Sequence, residues 1–207
     1  MRMLFALTGA RELSASDLAY QGRVSPQAAS AHLAKLVQGG LVLSRRAGRQ
    51  HLFRLAAPHV ARAVESLASL APAEPTTSLS QESAMQRLRK ARSCYDHIAG
   101  ELGVAITDAF LGRGVIVRRR DRFALTPAGR RLLERRGIDI ATLSKARRPL
   151  VRSCMDWTEH RFHIAGSLGA ALLDHVLAKD WVRRNPGDRS LQITALGAIE
   201  LRNLLQE

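Results

Sequence analysis

The chain has two cysteines, Cys94 and Cys154, and each stands near a histidine, His97 and His163. Thiolate sulfur and imidazole nitrogen are the donors zinc takes in its Cys2His2 sites. The same donors suit softer ions such as Cd2+, Pb2+ and trivalent arsenic, and they disfavour Mg2+ and Ca2+. Cys94 and His97 are three positions apart, on one face if the segment is helical. Asp156 and His160 lie close to the second pair. Other chemistries fit these residues. The cysteines can be small core hydrophobes, with the histidines bridging helices. They can close a reversible disulfide if their Cα atoms come within about 7 Å, or the segment can line an organic-ligand pocket. The sequence demands no resident cofactor, so a metal here is an effector. No enzyme signature accompanies the cluster. His160-Arg-Phe-His163 lacks the glutamate of a zinc-protease helix, and there is no phosphate-binding glycine loop or nucleophile elbow.

An internal repeat positions these residues. His97-Ile-Ala-Gly-Glu-Leu-Gly103 matches His163-Ile-Ala-Gly-Ser-Leu-Gly169, and 9 of 18 residues from the histidines onward are identical, too many for chance. Arg92-Ser-Cys94 matches Arg152-Ser-Cys154, and Leu125-Thr-Pro-Ala-Gly129 matches Ile193-Thr-Ala-Leu-Gly197. The offset grows from 60 at the cysteines to 66 at the histidines and 68 at the threonines, so small insertions separate two copies of one unit. Each copy predicts a helix carrying the cysteine, followed by a helix with an apolar stripe: Leu102, Ile106 and Phe110, or Leu168, Leu172 and Val176. A strand pair follows, near 115–125 or 181–193, and then a helix capped by Thr126 or Thr194, with Pro127 at its first position in the first copy. The run Arg118-Arg-Arg-Asp-Arg122 falls in the first strand pair, where it either meets phosphate or is solvated. Trp157 and Trp181 are expected as core anchors.

The N-terminal 70 residues carry a different pattern. Ser14 or Ser16 caps a short helix through Tyr20 that turns Leu18 and Ala19 inward, and Gly22-Arg-Val-Ser25 makes a tight turn with Gly22 tolerating positive φ. Ser25 and Pro26 then start a helix to about Gln38, which buries Ala29, Leu33 and Leu36. Gln27, Ser30, His32 and Lys35 are left outside, and Gly39-Gly40 stops the helix. Strands at 41–44 and 50–55 flank the basic turn 45–49, with Arg45, Arg46 and Arg49. A last helix, 58–70, carries Val60, Ala63, Val64 and Leu67 on one stripe. Two helices at a tight turn followed by a basic hairpin predict a winged helix-turn-helix. Ser25, Gln27, Ser30, His32 and Lys35 are then the base-reading set, and the three arginines the phosphate contacts. The alternative is a helical core with a solvated outer face.

The stretch VSPQAASAHLAKLVQGGLVLSRRAGRQHLFRLA resembles the ArsR/SmtB-type winged-helix repressors over about residues 1–70. RSCYDHIAG, LTPAGRRLL and RSCMDW look like an extended subgroup of that family. The resemblance implies a cytoplasmic homodimer that sits on a palindromic operator in double-stranded DNA and leaves it when an effector binds. It also implies regulation of a stress or metal-response operon. The chain departs from the family pattern in three ways. Glu12-Leu-Ser-Ala-Ser-Asp-Leu18 has serine at both thiolate positions of the arsenic-type site, and a hydroxyl is no substitute for a soft thiolate. His59 and Glu65 do not supply the paired ligands of the last-helix zinc site. The chain also begins at what would be the second family helix, so segments 80–98 and 196–205 are expected to build the dimer. A regulator of an organic ligand, or an architectural nucleic-acid binder without effector, remains the alternative.

Composition agrees with a nucleic-acid partner. There are 32 Lys+Arg against 18 Asp+Glu, a net charge of +14, which favours a polyanion. The excess lies before residue 150, because residues 151–207 balance 7 basic against 7 acidic side chains. Hydrophobic residues at 46% and aromatics at 4% predict a packed core of aliphatic side chains. No apolar run is long enough to span a membrane, and the opening residues are too short for a signal peptide. The expected class is mainly α with small β wings (α+β). The winged helix-turn-helix takes 1–70, a Pro/Ser/Thr linker 71–80, and a sensing and dimerisation domain 81–207. Two degenerate winged-helix-like repeats, about 85–137 and 145–207, make up that domain.

Overall fold

The computed structural model describes residues 1–9, 11–70, 79–120, 122–186 and 188–206. The chain divides into two compact units, Met1–Ala71 and Pro72–Glu207. Most of the linker expected at 71–80 lies outside the described residues, and Leu79 and Ser80 already belong to a helix.

In the first unit, α1 (Arg2–Ala6) is followed by β1 (Leu13–Ser14), α2 (Ala15–Gly22), α3 (Pro26–Gln38), β2 (Val42–Ala47), β3 (Gln50–Leu55) and α4 (Pro58–Leu70). Ser14 starts α2 through a capping box: its Oγ accepts from the Asp17 N–H at 3.1 Å, and its own N–H donates to Asp17 Oδ2 at 3.2 Å. Ser25 Oγ accepts from the Ala28 N–H at 3.2 Å, and Pro26 occupies the first turn of α3. The turn between α2 and α3 places Arg23, not Gly22, in the left-handed region, at φ 53°. Gly22 is helical and serves packing instead, because a Cβ there would lie 2.9 Å from Met3 Cγ. α3 buries Ala29 and Leu33, whereas Leu36 is only half-buried. The strands β1-β3-β2 form one antiparallel sheet, and β2–β3 pairing runs through to Ala47↔Gln50. The wing is therefore longer than expected, with Arg45 and Arg46 on a strand and only Gly48-Arg49 in the turn. On α4, Val60, Ala61 and Val64 are buried, but Ala63 and Leu67 are exposed. Val60 and Val64 thus face inward as expected, and the stripe extends to Ala61 and the buried Glu65 in place of Ala63 and Leu67.

The second unit runs α5 (Leu79–Lys90), β4 (Arg92–Cys94), β5 (His97–Ala99), α6 (Glu101–Gly112), β6 (Ile116–Arg119), β7 (Arg122–Leu125), α7 (Pro127–Arg135) and α8 (Ile140–Ser144). It continues with β8 (Arg152–Met155), β9 (Phe162–Ala165), α9 (Gly166–Ala178), β10 (Val182–Arg184), β11 (Leu191–Ile193) and α10 (Ala195–Gln206). The cysteines therefore sit on strands, and the helices expected to carry them are hairpins. Cys94 and His97 pair directly across a two-residue turn whose Tyr95 adopts φ 58°. A tight turn brings them together as cross-strand neighbours, where a helix would have stacked them. Cys154 pairs with His163 in the same way, across the longer loop 156–161. Thr126 and Thr194 cap α7 and α10 as expected, each accepting a backbone N–H at 2.9 Å. One core unites the unit: Leu102, Ile106 and Phe110 of α6, Leu168, Leu172 and Val176 of α9, and Phe123, Leu133, Trp181, Leu201 and Leu204. Trp157 is not part of it. It is half-buried beneath Arg92, whose guanidinium lies 4.7 Å from the ring centre.

Candidate metal centre and nucleic-acid face

The exposed side of α3 presents Gln27, Ser30, His32 and Lys35 to solvent. Ser30 Oγ donates to the Pro26 carbonyl at 2.9 Å, which leaves the oxygen able to accept. Ser25 is engaged as the cap. On the wing, Arg46 and Arg49 carry no ion pair among the described residues. Arg45 differs, since its guanidinium is bound by Glu12, with Nε donating to both carboxylate oxygens at 3.0 and 2.9 Å. That contact lowers the Glu12 pKa. In the second unit, Arg119 and Arg122 stand directly opposite one another across β6–β7, and Arg118 lies over the Phe162 ring at 5.4 Å.

Hairpins β4–β5 and β8–β9 bring Cys94, His97, Cys154 and His163 together, with one ligating atom from each and all four within 4.8 Å of one another. The sulfurs are 3.9 Å apart and the two Nε2 atoms 3.1 Å apart. All four residues are buried, at 2%, 3%, 8% and 0% exposure in chain order. Helix α6 packs on β9 and α9 on β5, so each helix covers the histidine strand of the more distant hairpin. Gly103 and Gly169 let each helix lie close against the strand just before it. A Cβ on Gly103 would lie 2.5 Å from the Ile98 carbonyl oxygen, and one on Gly169 would lie 2.7 Å from the Ile164 oxygen and 3.1 Å from His97 Cβ.

Two carboxylates back the histidines. His97 Nδ1 is 3.1 Å from Asp96 Oδ1, and His163 Nδ1 is 3.3 Å from Asp156 Oδ2. Burial pulls both histidine pKa values down, but Cys94 and Asp96 beside His97, and Asp156 and Cys94 beside His163, outweigh it and raise both. Burial alone would raise Asp96, yet hydrogen bonds to His97 and Arg148 bring its pKa down to about 2. Asp156 is likewise buried, and His163, Arg92 and Thr158 hold it far below the usual carboxylate range. Arg92, fully buried, donates to Asp156 Oδ1 at 2.8 Å, and the Gly100 N–H donates to Oδ2 at 2.7 Å. Asp156 thus ties the first hairpin to the loop of the second. The sequence pairs these carboxylates visibly, because Cys94-Tyr-Asp96 recurs as Cys154-Met-Asp156. That recurrence is the signal by which Asp96 could have been found.

No described helix is long and apolar enough to cross a membrane. A family model described as a helix-turn-helix domain matches residues 1–45, which cover α1 to α3. Over 197 residues the chain is 36% identical to an uncharacterized HTH-type transcriptional regulator, YdfF of Bacillus subtilis (strain 168), spanning 95% of this chain and 87% of that one. No solved structure matches the chain. With a helix-turn-helix in its first unit and a relative matched along nearly its whole length, the chain belongs to the HTH-type family of DNA-binding transcriptional regulators.

Proposed function

We propose that the protein is an ArsR/SmtB-type repressor, bound as a homodimer to a palindromic operator and released by an effector taken up at Cys94, His97, Cys154 and His163. The observation that carries this reading is the convergence of four buried soft donors from two hairpins, in a regulator whose first unit is a helix-turn-helix. The arsenic-type site has no counterpart here, because Ser14 is a helix cap and no thiolate stands beside it. In this reading the unit 1–70 reads DNA, with Gln27, Ser30, His32 and Lys35 at base edges and Arg46 and Arg49 on phosphates. The domain 81–207 senses, as two copies of one hairpin–helix–hairpin–helix unit. Exposed Leu196 (49%) and Ile199 (59%) on α10 suit a dimer contact. An effector that prefers the DNA-incompetent state tenfold weakens operator binding by about 1.4 kcal/mol.

The test begins with an operator selected from random duplexes, followed by anisotropy titrations of the chelator-treated protein with and without Zn2+, Cd2+, Pb2+, arsenite or peroxide. Release by one of these, lost in Cys94→Ser and Cys154→Ser, is the expected result. Full release retained in both folded variants overturns it. A second reading rests on the open groove of about 510 Å³ lined by Phe123, Leu125, Pro127, Leu150, Arg130 and Arg131. Apolar walls with two guanidinium groups suit an organic anion, and release by such anions in the double cysteine variant would favour it.

A further inference from the structure

We infer that the Cys/His cluster is a closed, four-coordinate site for one tetrahedral divalent ion, zinc first, with cobalt and cadmium as substitutes. The inference rests on the sensing reading only in taking the cluster as a ligand site. With Zn–S near 2.3 Å and Zn–N near 2.0–2.1 Å, a regular tetrahedron has an S–S edge of about 3.8 Å and an N–N edge of about 3.3 Å. The chain holds its sulfurs at 3.9 Å and its Nε2 atoms at 3.1 Å. These two edges agree within about 0.2 Å, whereas the widest donor pair, at up to 4.8 Å, joins a sulfur to a nitrogen and must close by about 1 Å toward the tetrahedral S–N edge of about 3.6 Å. Four protein donors complete a zinc shell, and their burial leaves no place for a fifth ligand or a reactive water.

The surroundings point the same way. Each histidine has its Nδ1 against a carboxylate, which turns both Nε2 atoms inward to face each other. For His97, hydrogen-bonded to Asp96, this is the carboxylate–histidine–metal arrangement that fixes ring orientation and strengthens the donor; His163 Nδ1 faces Asp156 at 3.3 Å without an aligned hydrogen bond. The two Nε2 atoms and the two sulfurs are each close enough to share a hydrogen bond, and one cation would take all four lone pairs at once. Two thiolates neutralise a divalent ion and two imidazoles complete its tetrahedron, whereas trivalent arsenic takes a trigonal set of thiolates and would leave both imidazoles unused. Ca2+ and Mg2+ want oxygen donors in larger number. Because each hairpin supplies one sulfur and one nitrogen, the ion bridges the two hairpins.

The experiment uses the full chain, stripped with chelator under reducing conditions and titrated with Co2+ followed by visible and near-ultraviolet absorption. One equivalent should give intense d–d bands of tetrahedral cobalt and a sulfur-to-cobalt charge-transfer band, both erased by one equivalent of Zn2+. Cys94→Ser and Cys154→Ser should each lose charge-transfer intensity. Asp96→Asn, on a half-exposed turn, should keep the tetrahedral spectrum and bind Zn2+ about 10–100-fold more weakly. Weak octahedral cobalt bands, a stoichiometry other than one, or an unchanged charge-transfer band in both cysteine variants would overturn the inference. Tetrahedral Co2+ with unchanged operator affinity would sustain this site and refute its sensing role. Operator release by arsenite or peroxide, in a protein that takes up neither Co2+ nor Zn2+, would do the reverse.

Discussion

Replacing Asp156 by asparagine should destabilise the second unit by about 3–5 kcal/mol, the cost of breaking a buried ion pair by removing one partner. The figure follows from what the carboxylate holds. Oδ1 accepts from Arg92 at 2.8 Å, from the Thr158 N–H and O–H at 2.9 and 2.7 Å, and from the Glu159 N–H at 3.2 Å. Oδ2 accepts from the Gly100 N–H at 2.7 Å. An amide keeps the shape but turns one acceptor into a donor, so in either orientation an NH2 group faces N–H or O–H groups. Arg92 meanwhile stays buried without a counter-charge. The loss corresponds to a fall of roughly 10–20 °C in the midpoint for a domain of this size. Scanning calorimetry of the metal-free chain measures it, and a shift under about 3 °C would refute the reasoning. The double variant Arg92→Met, Asp156→Leu should recover much of the loss, because both charges then leave together. The pH dependence has a defined sign. Asp156 titrates below its unfolded value, so its contribution is present above about pH 4 and is lost as the pH falls through its folded pKa. Asp156 also raises the His163 pKa, so the gap between wild type and Asp156→Asn should widen as the pH falls through the folded His163 value, level off below the unfolded histidine pKa of about 6.5, and narrow only in strong acid.

Gln27→Ala or Ser30→Ala should cost about 1–3 kcal/mol on the selected operator and little on random duplex, while Arg46→Ala and Arg49→Ala should weaken both and flatten the salt dependence. Arg45→Ala should change the salt slope least of the three arginines, since Glu12 already neutralises it; equal slopes for all three would count against this. Gly169→Ala gains about 1 kcal/mol of helix propensity but forces a Cβ within 2.7 Å of the Ile164 carbonyl oxygen and 3.1 Å of His97 Cβ. Overpacking of about 1–3 kcal/mol should prevail, with a lower midpoint and weaker Co2+ binding together; an unchanged midpoint would show that the hairpin yields freely. Asp188 resists protonation because Ser190 and Arg87 hold its carboxylate against the opposing effect of burial. Its share of stability is present above its unfolded pKa and is lost below, so Asp188→Asn should remove part of the acid sensitivity in urea titrations between pH 5 and 3.

The first unit was legible because each of its boundaries is set by local chemistry. Ser25-Pro26 opens α3 and Gly39-Gly40 closes it, whatever the rest of the chain does. The wing's length was not legible, since Arg45 and Arg46 look like turn residues until β3 pairs with them. In the second unit, the donor set was visible in the matched order of cysteine and histidine, but the elements carrying it were not. A three-residue spacing fits a helix face and a two-residue hairpin equally well. Only the long-range packing of α6 and α9 over the histidine strands decides for the hairpin. The jump of the repeat offset from 60 to 66 was the available clue. It places six extra residues between Cys154 and His163, which a hairpin loop absorbs and a helix face does not.

Those six residues also make the two halves of the centre unequal. Both copies offer one sulfur, one imidazole and one carboxylate, but the first carboxylate, Asp96, sits in a two-residue turn and leans on Arg148 at the surface. The second, Asp156, heads the long loop and is gripped from inside by Arg92 of the other copy. A further difference lies beneath the strands. Thr107 of α6 takes a hydrogen bond from the Ile164 N–H at 3.0 Å, whereas the matching residue of α9 is the apolar Leu173. Hairpin β4–β5 is held instead at its outer edge, where the Ser93 N–H donates to the Arg189 carbonyl at 3.0 Å and Arg92 bridges to Ser190. An ion drawing the four donors inward should therefore load the two hairpins at different points, the second at Thr107 of α6 and the first at the 189–191 segment. On the first side the load would pass through Arg92, which begins β4 and donates to the Leu88 carbonyl of α5 at 3.1 Å.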